Sequence, residues 1–227
     1  MLVKWGSIIV RGSGKLGGHV FSSGPSGASV HTSARARNPQ SKYQMEVRSR
    51  FTQFTQGWRN LTESQRDTWY AAEESFSRTN RFGDVVTLSG KNLYESLNTN
   101  RAIIGLGTLD EAPMPTTLLV NEMTAAYFDL NFNALKIDGV YGAGQKYVLM
   151  ATKELSQGAK YKSEEMRIIG TVTARLDGVN VNVFGDFYTL YSSKFGRPTT
   201  NSKIFVGTYF INVAGQKGNI SRQMASY

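Results

Sequence analysis

Three glycines near the start of the chain have the spacing of a phosphate-binding turn. In IIVRGSGKLGGHVF, residues 8 to 21, Gly12, Gly14 and Gly17 spell G-x-G-x-x-G after a short apolar run. In a dinucleotide site such glycines close a strand-to-helix turn whose amides face a pyrophosphate. Here the continuation is VFSSGPSGASV, with Pro25 and two further glycines, and it supplies no helix. A P-loop would need a glycine where Ile9 stands and, where Leu16 stands, a hydroxyl for magnesium. The glycines therefore read as turn and close-packing residues of a hairpin-like stretch.

The other chemistry-bearing residues do not assemble into a catalytic set by spacing. His19 and His31, the two histidines of the chain, sit in that same stretch with no carboxylate beside either ring to orient it. No His-x-x-x-His pair or dense Asp/Asn loop offers metal-ligand spacing. Without cysteine there is no disulfide, thiolate site or cysteine nucleophile. Glu73-Glu74 and Glu164-Glu165 are sequence neighbours whose side chains point apart on a helix or strand, which suits solvated faces and not a shared proton. Asp129 and Asp186, beside aromatic residues, suit turns or salt bridges. The expectation is a protein that is not an enzyme, with no catalytic, cofactor-binding or metal-binding residue and no cofactor.

Charge is distributed unevenly. Residues 1 to 61 hold nine Lys/Arg (Lys4, Arg11, Lys15, Arg35, Arg37, Lys42, Arg48, Arg50 and Arg59) against one acid, Glu46, whereas the rest holds seventeen basic and sixteen acidic groups. Almost all of the net +9 thus belongs to the N-terminal quarter, which suits a polyanion, an acidic protein surface or a solvated basic arm. No apolar run reaches the length of a membrane span, and Gly6, Ser7, Arg11 and Gly12 interrupt any signal-peptide core. A soluble, non-secreted chain without membrane contact is expected.

The elements that must position these residues fall into three zones. Residues 1–37 form an extended, basic, glycine-rich arm in which short apolar pieces alternate with Gly/Ser clusters. Residues 38–112 are helical. Asn38 followed by Pro39 suits a helix start, and Tyr43, Val47, Phe51, Phe54 and Trp58 share one stripe. Thr62-Glu-Ser-Gln65 is a capping box for a second helix carrying Trp69, Ala72 and Phe76, and Ser89 suits the cap of a third carrying Leu93, Leu97 and Ile104, ended by Gly105. The helix-core anchors are expected to be Val47, Phe51, Phe54, Trp58, Trp69 and Phe76.

Beyond the linker Ala112-Pro-Met-Pro115 the pattern alternates. Residues 127–135, 146–152, 166–174, 179–184 and 203–213 read as strands, with turns at Asp138-Gly139, Asp177-Gly178 and Gly215 to Gly218. Residues 113–227 then suit a β-sandwich of immunoglobulin-like or fibronectin-like size, with Phe187, Leu190 and Tyr191 in a helical turn plugging it. The fold class is α+β: an extended N-terminal arm, a small three-helix region and a C-terminal β-sandwich.

The order of the pieces carries a resemblance. GKLGGHVFS from Gly14, Asn38-Pro-Gln with Gln44, Arg48 and Phe51, WRNLTESQRDTW from Trp58 to Trp69, and SGKNLYESLN from Ser89 to Asn98 resemble small structural proteins of tailed-bacteriophage particles. In that group a G-K-x-G-G hairpin precedes an N-P-x-T-x-x-Q-x-x-x-R helix and a W-x-x-L-T-x-x-Q-R-x-x-W helix. The resemblance covers residues 12 to 105. Ser41 stands where the group often has threonine, and HTSAR from His31 replaces its short aromatic-arginine run.

The resemblance implies an auxiliary capsid, head-to-tail or neck-ring component, assembled in the bacterial cytoplasm. Its partners would be other virion structural proteins, in a homo-oligomer or ring, with contact to packaged DNA. The arm would be taken by a neighbouring subunit through strand addition, and Arg11, Lys15, Phe21, Arg35, Arg37, Lys42 and Arg48 would form the assembly interface. Three alternatives stay open: an arm folded back on its own domain, a nucleic-acid binder in which Phe21, Tyr43, Phe51 and Trp58 stack between basic residues, and a host-surface adhesion module built on the sandwich.

Overall fold

The computed structural model describes residues 2–3, 12–24, 27–34, 38, 40–80, 82–118, 122–129, 134–140, 146–161, 165–173, 187–199 and 202–226. They form a mixed α+β fold with several helices and antiparallel sheets. The chain divides into two compact units, one of Met1–Glu95 with Asp110–Ala112, the other of Ser96–Leu109 with Pro113–Tyr227.

The first unit opens with β1 (Leu2–Val3), β2 (Gly14–Leu16), β3 (His19–Gly24) and β4 (Gly27–Thr32), an antiparallel sheet in the order β1-β4-β3-β2. Leu16 pairs with His19 across Gly17-Gly18, and Gly17 takes the φ of +56° that a tight hairpin turn requires. The glycine motif is thus a strand-to-strand turn. No described residue of β2 to β4 is buried; Val20, Phe21, Ala28, Ser29 and Val30 are half-buried.

Helix α1 (Lys42–Asn60) starts later than Asn38-Pro39 suggested. Gln40 has φ +48°, which breaks the helical path, and the Ser41 hydroxyl caps by accepting from the Gln44 amide at 3.3 Å. Asn38 instead accepts from Arg48 at 2.9 Å, and Pro39 lies outside the described residues. Helix α2 (Glu63–Ala71) opens on the capping box: the Gln65 amide donates to the Thr62 hydroxyl at 3.3 Å and the Thr62 amide to Gln65 Oε1 at 2.9 Å. Arg66 donates to the Trp58 and Arg59 carbonyls, so a cation from α2 closes the C-terminal end of α1.

After a short 3₁₀ turn (Glu74–Phe76), β5 (Arg78–Thr79) pairs with β6 (Val85–Val86). Helix α3 (Gly90–Ile103) follows, with Gly90 to Glu95 in the first unit and the remainder in the second. Phe54, Trp58, Leu61, Trp69, Leu93 and Tyr94 are buried in the first unit. Trp69 and Tyr94 meet edge-on with ring centroids 5.3 Å apart, and Trp58 lies 5.5 Å from Tyr94. A Cβ on Gly57 would come within 2.7 Å of the Tyr94 hydroxyl, so glycine lets α1 approach α3.

In the second unit α3 ends on Gly105 at φ +72°, with Gly105 N–H donating to Ala102 and Leu106 N–H to Arg101. Strands β9 (Lys146–Ala151), β10 (Arg167–Thr173), β11 (Lys203–Phe210) and β12 (Ser221–Ser226) form an antiparallel sheet in the order β10-β9-β11-β12. Alternation sends Tyr147, Leu149, Ala151, Ile204 and Val206 to one face, where Phe187 and Tyr191 of α4 (Phe187–Phe195) pack on them. Val148, Tyr209 and Ile211 point to the other, against Ile103, Ile104 and Leu106 at the end of α3. Helical residues are therefore among the described apolar partners of both faces.

β7 (Glu122–Asp129) and β8 (Ala134–Val140) form a separate antiparallel pair, with β7 beside β12. The single strand expected over 127–135 is the end of β7 and the start of β8. Asp138-Gly139, expected as a turn, lies inside β8 opposite Ala125 and Met123, where the register shifts. The expected strand at 179–184 and the turn at Asp177-Gly178 fall outside the described residues.

Candidate docking surface

Helix α1 is 19 residues long and α2, which follows it, is nine. At about 1.5 Å per residue, α2 spans roughly half the length of α1 and can cover only part of it. Burial along α1 is uneven. Phe54 and Trp58 are buried, but Val47 is 44% and Phe51 57% exposed, and no residue from Lys42 to Gln53 is buried. Val47 and Phe51, expected as core anchors, thus stand on the surface, while the contacts that α1 makes with α2 and α3 fall on its second half, at Thr55, Gly57, Trp58 and Arg59. Phe76 is half-buried.

Of the expected interface residues, Lys15 is exposed on β2, and Phe21 is half-buried on β3 between Gly14 and Val30. Lys42 and Arg48 are exposed on the first turns of α1. Arg11, Arg35 and Arg37 lie outside the described residues. Lys42 and Arg48 share α1 with the exposed part of the stripe. Beside Phe51 a shallow groove is lined by Thr52, Thr55, Gln56 and Arg59. Glu46 is paired with Arg50 one turn on, and Lys42, Arg48 and Arg59 form no ion pair among the described residues.

The residues weighed for chemistry have structural settings. His31 pairs with Val20 and His19 with Thr32, so alternation puts the two histidines on opposite faces of the hairpin. Among the described residues no three His, Asp or Glu side chains gather as a metal site, and no helix is long and apolar enough to cross a membrane. The Glu73 carboxylate accepts from the Gly90 amide at 2.6 Å and so caps α3, a role its sequence position did not reveal. Glu164 and Asp186 lie outside the described residues.

Buried Glu95 accepts from the Thr55 hydroxyl at 2.8 Å, with Lys91 3.7 Å away. Burial, then the charges of Asp110 and Glu95, push the Tyr94 hydroxyl above its usual range, so it stays a neutral packing group. No protein-family model, curated protein or solved structure matches the chain.

Proposed function

We propose that the chain is a non-enzymatic structural component of a tailed-bacteriophage particle, an auxiliary capsid, head-to-tail or neck-ring protein that docks on neighbouring subunits through its N-terminal sheet and α1. One observation carries this reading: β2 to β4 and the first three turns of α1 are formed elements that bury no described residue. A glycine-turned sheet and a helix stripe of this kind offer backbone and apolar groups to a neighbour. The residues resembling virion proteins, from Gly14 to Asn98, span the same elements.

In this reading α1 to α3 act as a three-helix region. Residues 113–227 form an immunoglobulin-like or fibronectin-like module, supported by the antiparallel pairing of β9 to β12 and by the β7–β8 hairpin beside them.

The test is incorporation. Chain lacking residues 1–37 should keep the helical and sheet signals of the rest yet be absent from purified particles that contain the full chain. Normal occupancy of the shortened chain would overturn the reading, as would absence of the full chain from particles.

A further inference from the structure

The exposed part of the α1 stripe continues a buried one. At 100° per residue Val47, Phe51, Phe54 and Trp58 fall within about 60° of arc, so one apolar ridge leaves the core and runs out along the helix. Phe51 borders the groove lined by Thr52, Thr55, Gln56 and Arg59, and Arg48, Thr52, Thr55 and Arg59 follow one another at spacings of four, three and four along its side. The surface is thus an apolar ridge with a basic flank. The single acid of the first 61 residues, Glu46, is occupied by Arg50.

We propose that this face of α1 receives an amphipathic α-helix of another protein, apolar at i, i+3/i+4 and i+7 and acidic beside that seam. It deepens the docking reading and rests on it only in taking the other protein to be a virion subunit. A helix fits because the backbone of α1 is already hydrogen-bonded within itself, leaving side-chain ridges and grooves as the means of contact. An acidic helix fits because Arg48 and Arg59 on that flank have no carboxylate partner among the described residues. A second copy packed antiparallel on the same face would set the two basic flanks against each other with no acid between them to compensate. A nucleic acid would meet the right charge but, at Val47, a branched aliphatic side chain in place of a stacking ring.

The test uses the full chain and a synthetic three-heptad peptide with Leu at the seam and Glu on both flanks. Fluorescence anisotropy compares it with the same peptide carrying Lys for Glu and with a single-stranded DNA oligonucleotide, while sedimentation velocity follows the chain alone. The Glu peptide should bind, more weakly as salt is added, and about tenfold or more weakly to the Val47→Ser/Phe51→Ser double variant. Arg48→Glu/Arg59→Glu should lose the Glu peptide and gain the Lys peptide. Both serines replace exposed side chains, so the melting temperature should stay at the wild-type value; a large drop would mean that the chain itself covers the face and would overturn the proposal.

Other outcomes also overturn it: oligonucleotide binding without Glu-peptide binding, equal binding of both peptides, unchanged binding by the double variant, or self-association that the double variant abolishes. Particle content separates the two levels. Full chain present in particles with no Glu-peptide binding removes this inference alone, and full chain absent from particles removes the docking reading while a positive peptide result stands.

Discussion

Asn98 and Leu109 hold each other through both amide groups: Asn98 Nδ2 donates to the Leu109 carbonyl at 3.1 Å, and the Leu109 N–H donates to Asn98 Oδ1 at 2.7 Å. Asn98 is 1% exposed, so this side chain does for the segment after α3 what a backbone ladder does for a strand. Asn98→Ala leaves both Leu109 groups without that partner and should destabilise the second unit by about 2 kcal/mol. Asn98→Asp keeps the acceptor but replaces the donor with a buried charge, and should be at least as damaging. Urea unfolding of the three proteins checks the order; an alanine variant as stable as the wild type would remove the clamp.

In the first unit the fully buried Trp69 donates from its indole N–H to the Asp110 carbonyl at 2.8 Å, and the Ala112 N–H donates to the Thr68 hydroxyl at 3.0 Å. Residues 110–112 are thereby fastened to α2. Trp69→Ala should cost about 3 to 5 kcal/mol through the cavity it leaves, whereas Trp69→Phe keeps a ring and loses mainly the hydrogen bond, about 1 to 2 kcal/mol. Loss of partner binding at unchanged stability in Trp69→Ala would instead make the residue a contact site.

What could be read from the sequence was what is decided locally. The Thr62 capping box and the Gly105 stop depend on residues within one turn, and both formed. Burial along α1 was not legible before Phe54. A helical stripe shows which residues share a side, but whether Val47 and Phe51 are covered depends on which other elements reach them. Asp138-Gly139 has turn composition, yet pairing with β7 draws it into a strand. The basic, aromatic character of the docking surface was visible in Arg48 and Phe51, while its exposure needed the fold.

The stripe of α3 was read as one face, but its end serves the sheet. Ile103, Ile104 and Leu106 pack against Val148, Tyr209 and Ile211. A chain beginning at residue 113 lacks this cover and exposes the apolar side of β9 and β11. One beginning at residue 89 keeps it. The longer piece should show a cooperative transition by circular dichroism, and the shorter one a lower midpoint with dye-binding apolar surface. Equal midpoints would show that the end of α3 contributes little to the sheet.

Glu154 accepts from the Thr199 N–H at 2.9 Å and the Thr199 hydroxyl at 3.0 Å, which hold its carboxyl below the ordinary 4.5. A carboxyl lowered on folding contributes stability above its unfolded pKa and loses it as pH falls through the folded value. Thr199→Ala removes the hydroxyl and should narrow the difference in stability between neutral and acid solution. Its deficit relative to wild type should be larger at about pH 6 than at about pH 3. A deficit independent of pH would assign the effect to packing.

The 212–218 loop joins the sheet end to α3 through backbone contacts that leave no room for a side chain. Asn100 Nδ2 donates to the Gly215 carbonyl at 2.8 Å, and Arg101 donates to the Val213 carbonyl. The loop is shaped from within by Asn212, whose Oδ1 accepts from the Gln216 N–H at 2.8 Å and whose Nδ2 donates to the Thr116 hydroxyl at 2.7 Å. Gly215 takes φ +83°, and a Cβ there would run into the Leu97 carbonyl group. Because the obstacle is helix backbone, no rotamer change relieves it, and Gly215→Ala must push the loop away and break the bonds from Asn100 and Arg101. The substitution should cost about 2 kcal/mol or more, since a strained φ and a steric clash act together. Val213→Ser, two residues away at a side chain that is 72% exposed, should leave the unfolding midpoint almost unchanged. Equal midpoints for the two variants would show that the approach of Gly215 to α3 does not hold the loop.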